Sequence, residues 1–322
     1  MWTRRWFIIL TAAAVVTLAL ACQLVGQMSR DELQRLLKEQ VAVRQGELPY
    51  VEKVYMGPGV LANSGASHLS QRLRFRREGP MGYFPADIYI DVAVLSDEKQ
   101  AYRQAVRFAE TQFALPGTPG LPEGTHSGFP VGQKSWVYGP PDGAKPGPGQ
   151  GTSVLVVYDG SAALCVDIRY QPIDPKAKTA VFMPVSGEDR ERSEYVARLL
   201  LSRVQMLLMN WDGSNVLRIH SGRATLPARK TSKGLYIPAG SALRQYGGVV
   251  KQSRTGVFTV EWGGKRVTVP VAARVLLTGK QQIPLSAPVL YDGQEIWIEA
   301  QGFAQALGWK LVKRGGAISL SL

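Results

Sequence analysis

The stretch Tyr236-Ile237-Pro238-Ala239-Gly240-Ser241-Ala242-Leu243-Arg244-Gln245-Tyr246-Gly247 returns in outline 61 positions later, as Trp297-Ile298-Glu299-Ala300-Gln301-Gly302-Phe303-Ala304-Gln305-Ala306-Leu307-Gly308. Each copy reads as a strand ending on an aromatic and an isoleucine, then a short helix, then a glycine. Gly247 and Gly308 fall where a helix C-terminus requires a left-handed residue, a conformation glycine adopts without steric cost. A strand pair is expected after each copy, with Val257 to Trp262 in the first and Ala317 to Leu322 in the second. Gly263-Gly264 and Gly315-Gly316 supply tight hairpin turns. Residues 215–322 therefore read as a β-rich repeat domain with short helices.

Around the second copy lie Ile283-Pro284-Leu285, Pro288-Val289, Tyr291-Asp292-Gly293, Ile296-Trp297-Ile298 and Phe303-Ala304-Gln305-Ala306-Leu307-Gly308-Trp309. This order of elements resembles the copper amine oxidase N-terminal-like domain, also called the stalk domain. Secreted and cell-surface proteins of Gram-positive bacteria carry it, often as two such half-units. The resemblance runs from about Asn215 to Leu322, roughly a third of the chain. One departure is Glu299, where the family usually has proline, which the first copy keeps as Pro238. Another is Lys233-Gly234, where the family has Asp-Gly. The resemblance implies no copper and no oxidase activity, because in that family the copper ligands and the cofactor-forming tyrosine lie in a different domain. The three histidines here, His68, His126 and His220, show no metal-ligand spacing.

Residues 23–214 read as an α+β domain of unknown ligand. Ser29 and Glu32 make a capping box ahead of Leu33, Leu36, Leu37 and Val41 at helical spacing. Alternation marks strands at Arg72 to Glu78 and at Ile88 to Val94. Ser96-Asp97-Glu98 opens a helix carrying Tyr102, Ala105, Val106, Ala109 and Phe113 on one face. Val154 to Tyr158 and Ala162 to Tyr170 flank Asp159-Gly160, the signal of a type I′ hairpin. A last helix covers about Glu188 to Asn210. Helices before and after hairpin-linked strands predict an antiparallel sheet with helices on one face. Pro116 to Gly132 and Gly139 to Gly151 read as long surface loops around a short strand at Lys134 to Tyr138.

Charge separates the two parts. Residues 23–217 hold 21 Lys+Arg and 21 Asp+Glu, whereas residues 218–322 hold 15 and 4, a net of +11. A basic excess confined to one part of a chain predicts an anionic partner for that part. The expected anion-binding patch is Lys230, Lys233, Lys251, Arg254, Lys265, Arg266, Lys313 and Arg314, with Arg218, Arg223 and Arg229 approaching the first repeat. Its expected partner is an anionic cell-wall polymer or membrane surface. A further envelope protein is a second kind of partner, and nucleic acid is not expected of an exported chain.

Export is read from residues 1–22. Arg4 and Arg5 precede an apolar run from Trp6 to Ala21, too short for a comfortable membrane span. Ala19-Leu20-Ala21 before Cys22 resembles both a signal-peptidase site and a bacterial lipobox, so lipidation of Cys22 and plain cleavage before it both stand, with an uncleaved anchor as the third case. Either route places the mature protein outside the cytoplasm.

No catalytic constellation, metal cluster, cofactor or nucleotide fingerprint stands out. His68 reads as a loop residue beside Ser64 and Ser67. Asp167 and Arg169 read as an ion pair at the sheet surface beside Cys165, and Asp87 and Asp91 as solvated carboxylates. The leading expectation is a non-enzymatic binding or structural protein of the envelope. The alternative is an extracytoplasmic enzyme or ligand-sensing lipoprotein with its site in the loops of the first domain.

Overall fold

A computed structural model describes residues 28–57, 66–79, 82–113, 123–139, 153–170, 187–209, 211, 216–221, 224–314 and 317–321. The proposed export signal, Cys22 and the turn cluster Asp212 to Asn215 lie outside the described residues. Among the described residues no helix is long and apolar enough to cross a membrane. The fold is mixed α+β, built from three sheets and few helices.

Helix α1 (Arg30–Leu36) continues into a π-helical turn, Leu37–Val41. Ser29 caps it as its sequence predicts, with the Glu32 N–H donating to Ser29 Oγ at 3.1 Å. Six antiparallel strands follow: β1 (Val51–Met56), β2 (Ser67–Gly79), β3 (Gly82–Val94), β4 (Lys134–Tyr138), β5 (Ser153–Asp159) and β6 (Ala162–Tyr170). Their order in the sheet is β1-β2-β3-β6-β5-β4. Helix α2 (Glu98–Phe113) connects β3 to β4, and α3 (Gly187–Leu208) follows β6. Asp97 caps α2 by accepting from the Gln100 N–H at 2.8 Å.

The helices do not share one face, which corrects the expectation. Side chains alternate along a strand, so the unbroken apolar run of β5 needs cover on both sides. Val154, Val156 and Tyr158 pack with Ala163 and Cys165 beneath Ala101, Ala105 and Ala109 of α2. Leu155, Val157, Leu164, Val166 and Ile168 face the other way, in one core with Val196, Leu200 and Val204 of α3 and with Leu33 and Leu37. The β5–β6 hairpin also differs in detail. Asp159 pairs with Ala162, leaving a two-residue turn, Gly160-Ser161. Only Gly160 has positive φ, at +56°. That is the glycine-first geometry of a type II′ turn rather than type I′.

The remaining strands are β7 (Val216–Ser221), β8 (Ala224–Thr231), β9 (Gly234–Pro238), β10 (Val249–Gln252), β11 (Val257–Trp262), β12 (Lys265–Pro270), β13 (Val275–Thr278), β14 (Gln281–Pro284), β15 (Leu290–Tyr291), β16 (Ile296–Glu299), β17 (Lys310–Arg314) and β18 (Ala317–Ser321). The short helices are α4 (Ala239–Arg244) and α5 (Ala300–Leu307). The two repeat strands, β9 and β16, pair with each other antiparallel, and Ile237 faces Ile298, its own equivalent. The repeats thus meet about a local pseudo-two-fold axis through that pair. Their hairpins then diverge: β10–β11 joins the sheet β10-β11-β12-β13-β14, and β17–β18 closes the sheet β15-β16-β9-β8-β7-β18-β17. Gly247 and Gly308 both take the left-handed conformation their positions require, with φ +73° and +72°.

Carboxylates start both short helices. Glu299 accepts from the N–H groups of Gln301 (3.0 Å) and Gly302 (2.8 Å). At α4, Pro238 has no side chain to do this, and Glu295 reaches across to the N–H groups of Gly240 (2.9 Å) and Ser241 (3.0 Å). The substitution of proline by glutamate between the copies is therefore matched by a different cap at each helix.

The two parts share one hydrophobic core, running from Leu33 to Leu320. Polar contacts cross it as well. Asp159, fully buried, accepts from Gln205 Nε2 of α3 at 2.6 Å and pairs with Arg274 at 3.2 Å. Ser202 Oγ donates to the Tyr291 carbonyl at 3.0 Å. The described part of the expected loop, 123–132, is turns and bends, exposed or half-buried except at Val131, and the Phe129 and Pro130 carbonyls accept from Arg198 of α3.

Candidate functional site

The strongest chemical asymmetry lies on the seven-stranded sheet. Strands β8, β7, β18 and β17 are neighbours in that order, and their sequences contain Arg218, Arg229, Lys230, Lys310, Lys313 and Arg314 but no Asp or Glu. The link is the parallel pairing of β18 with β7, which sets Ile318 opposite Ile219 and Leu320 opposite Ser221. Ile219, Ala228 and Leu320 point into the core. The alternate residues Arg218, His220, Thr225 and Pro227 are exposed, as is Lys310 on β17. His220 Nδ1 lies 3.3 Å from Thr225 Oγ1. The outer face is thus hydroxylated and basic, with Arg218, Arg229 and Lys310 on it, while Lys230 is exposed at the strand end on the side of Ala228. Among the described residues Arg218, Lys230 and Lys310 have no carboxylate within ion-pair distance.

The four carboxylates of residues 218–322 are committed elsewhere. Glu295 and Glu299 hold helix N-termini. Asp292 accepts from Trp297 Nε1 (2.9 Å) and from the N–H groups of Gln294 and Glu295 (2.8 Å each). Glu261 pairs with Lys251 at 2.7 Å and lies 3.9 Å from Arg266 across β11 and β12.

The structure divides the expected patch. Lys230 and Lys233 stay exposed on β8 and the turn after it. Lys251 and Arg266 lie on the other sheet and share Glu261. Lys265 Nζ donates to the Leu307 carbonyl at 2.7 Å, closing the C-terminus of α5, where a cation is favoured. Arg254 sits 3.8 Å from Glu191 of α3. Lys313 and Arg314 lie on β17, next to the basic face, though their side chains are outside the described residues. The expected patch omitted Lys310 and His220: His220 lies two residues from Arg218 on β7, and Lys310 joins the same face through the β18–β7 pairing.

At one end of the face stands an aromatic cluster. The Trp211 ring meets Tyr236 at 5.3 Å and Trp297 at 5.2 Å, both edge-on, and the Arg229 guanidinium lies 4.9 Å from the centre of the Trp211 ring.

The other sequence candidates are structural in their contacts. His68 is on β2, opposite Ala93, and not in a loop; its N–H donates to Gln34 Oε1 at 2.9 Å. Asp87 is buried and pairs with Arg74 at 3.1 Å, so it is not solvated. Asp91 is half-buried, and burial raises its carboxyl above the usual range. Cys165 is a free, buried thiol whose pKa burial pushes well up. Ser153 Oγ lies 2.9 Å from His126 Nε2 and 2.7 Å from Ser193 Oγ. Ser153 is fully buried, so the pair presents no nucleophile to a substrate. Among the described residues no group of His, Cys, Asp and Glu is arranged to hold a metal ion.

Two buried groups carry opposite pH dependences. Burial, aided by the Arg190 charge, pulls His126 from 6.5 down to about 4. Its contribution to stability is full above pH 6.5 and is lost as pH falls through about 4. Asp167 is buried, with one carboxylate oxygen unpartnered and Arg169 on the other, and burial raises it from 3.8 to about 6. Its contribution is full below pH 3.8 and is lost as pH rises through about 6. In thermal unfolding across this range, His126→Gln is expected to flatten the acid-side fall in Tm. Asp167→Asn is expected to raise Tm at pH 7 relative to pH 4, each by a few degrees.

Comparison with protein-family models, with curated proteins and with solved structures finds no match for this chain.

Proposed function

We propose that the chain is an exported, envelope-associated, non-enzymatic binding protein whose C-terminal stalk-type module contacts anionic cell-wall polymers. The observation that supports this best is the set of four neighbouring strands carrying six Lys and Arg residues and no carboxylate. A basic sheet face of this kind attracts a polyanion without demanding one sequence or stereochemistry, and its attraction weakens with salt. The α+β part packs against the module through a shared core, so the two act as one body when the polymer is held.

The test is co-sedimentation of the protein with a purified teichoic-acid-bearing wall fraction at low and high salt. The double variant Arg218→Gln, Lys310→Gln is expected to bind roughly tenfold more weakly at low salt, from two exposed charge contacts of up to about 1 kcal/mol each. The variant Lys251→Gln, Arg266→Gln removes two charges on the other sheet, one of which Glu261 balances, and is expected to stay within about twofold of the parent. Equal losses in both variants would refute the assignment to this face, and salt-insensitive binding would refute the polyanion reading itself.

A further inference from the structure

Beside the aromatic cluster opens a cleft of about 580 Å³ between the segment after α1, the C-terminal end of α3 and the turn following β15. That volume is in the range of sites that hold small ligands. Gln40, Arg44, Arg203, Met206, Trp211 and Gln294 are among its walls. Trp211 belongs to both features: it lines the cleft, and its ring carries Arg229 of the basic face 4.9 Å away. The ring meets Tyr236 and Trp297 edge-on, and the Trp211 backbone N–H donates to the Met206 carbonyl at 3.0 Å, yet the residue is only half-buried.

The polar walls are open for use. Gln40 and Gln294 are exposed, and neither side-chain amide has a partner among the described residues. The Arg44 guanidinium donates to the Glu39 carbonyl at 2.9 Å and makes no ion pair among the described residues. Arg203 is occupied, by Glu47 and by the Val41 and Ala42 carbonyls. Burial and the nearby Arg44 charge pull Arg203 down to about 10. Glu47 and Asp292 also line the cleft, so its two arginines are matched by two carboxylates; Glu47 is taken by Arg203 and Asp292 by Trp297 and the turn N–H groups, which leaves Arg44 as the cleft's unpaired charge among the described residues.

An aromatic ring and planar amides on the walls of one cleft are groups that can recognise a pyranose. The C–H face of the sugar lies on the ring, the amides take neighbouring hydroxyls, and a guanidinium takes a carboxylate or other acidic substituent. A ring-free polyanion would use the charge and leave the amides idle.

We propose that this cleft is a saccharide subsite, and that the polymer held by the basic face is an acidic glycan, one ring of which stacks on Trp211 between Gln40 and Gln294 with its acidic group on Arg44. The proposal rests on the polyanion reading of the basic face and names the chemistry of the polymer.

The test is calorimetric titration of the purified protein with tetragalacturonate and, as a ring-free control of the same charge, tetraglutamate. Tetragalacturonate is expected to bind at least roughly tenfold more tightly. The double variant Gln40→Ala, Gln294→Ala removes two exposed amides and leaves the thermal unfolding curve unchanged. It is expected to weaken tetragalacturonate roughly tenfold, the worth of two neutral hydrogen bonds, and to leave tetraglutamate unaffected. Arg218→Gln with Lys310→Gln is expected to weaken both ligands alike. Equal binding of the two ligands, or a double variant that binds like the parent, overturns the subsite and leaves the polyanion reading standing. Wall retention with no binding of tetragalacturonate has the same meaning. Loss of wall retention together with intact tetragalacturonate binding overturns the polyanion reading and keeps the subsite.

Discussion

Replacing Arg198 by alanine is expected to cost about 3–5 kcal/mol of stability, a fall in Tm on the order of 10 °C. Arg198 is 1% exposed and sits in the middle of α3. Its guanidinium pairs with Glu194 one turn earlier at 2.6 Å, and Glu194 is fully buried. The same group donates to the carbonyls of Phe129 (2.8 Å), Pro130 (2.9 Å) and Val271 (2.7 Å). Glu194 in turn accepts from the Ser127 N–H at 2.8 Å and from its hydroxyl. Burial draws the Arg198 pKa down, and the Glu194 carboxylate opposes that shift. Alanine would leave a fully buried charged carboxylate and three carbonyls without their donor, which is why the loss exceeds that of a surface ion pair. The double replacement Glu194→Leu, Arg198→Met removes both charges and keeps the volume. It is expected to cost less than Arg198→Ala alone, since an unpaired buried charge is worse than none. Denaturant unfolding of the two variants measures this directly. A double variant less stable than the single would mean that the orphaned carbonyls, and not the stranded carboxylate, dominate. Because Val271 belongs to the β12–β13 connection and Phe129 and Pro130 to the segment before β4, the loss is also expected as faster hydrogen exchange on both sides of α3.

Much of this architecture is legible in single stretches of sequence. The capping box at Ser29, the acidic start of α2, the Asp159-Gly160 hairpin and both glycine-ended repeat helices are local, and local signals depend on few neighbours. The α+β class follows from them. The run Val154 to Tyr158 also held the answer to which faces are covered, because a strand apolar at every position must be buried on both sides. What could not be read is the long-range pairing. Nothing near Lys310 shows that β18 will lie parallel to β7, almost a hundred residues earlier, and it is this pairing that gathers the basic face. Nor does sequence order reveal that Glu295 serves a helix in the other repeat, or that Lys251 and Arg266 share Glu261. Net charge counts cations. Which of them remain available is decided by the few carboxylates and by the register of the sheet.

Gly132→Ala is expected to destabilise the protein by about 2–4 kcal/mol, combining the cost of a left-handed side-chain residue with that of displacing a backbone carbonyl. Gly132 has φ +63°, and a Cβ there would stand 2.7 Å from the Tyr158 carbonyl oxygen and 2.7 Å from Val157 Cγ1. Neither atom yields cheaply, since the Tyr158 oxygen accepts from the Gln133 N–H at 2.9 Å and Val157 is fully buried in β5. The Gly132 N–H donates to the Ala272 carbonyl at 2.9 Å, so the glycine also fixes the contact between the segment before β4 and the β12–β13 connection. Ala272 is itself left-handed, with φ +61°, and its N–H is held by the Val289 carbonyl at 2.8 Å. Gly160 separates the two contributions. It has φ +56° but nothing within 4 Å of its Cβ position. Gly160→Ala therefore pays for the dihedral angle alone, about 1–2 kcal/mol. Paired denaturant titrations of Gly132→Ala and Gly160→Ala are expected to differ by at least about 1 kcal/mol, the lower end of an overpacking penalty. If the two losses are equal, the Tyr158 carbonyl gives way freely, and the close approach of β5 to this segment contributes no rigidity to the junction.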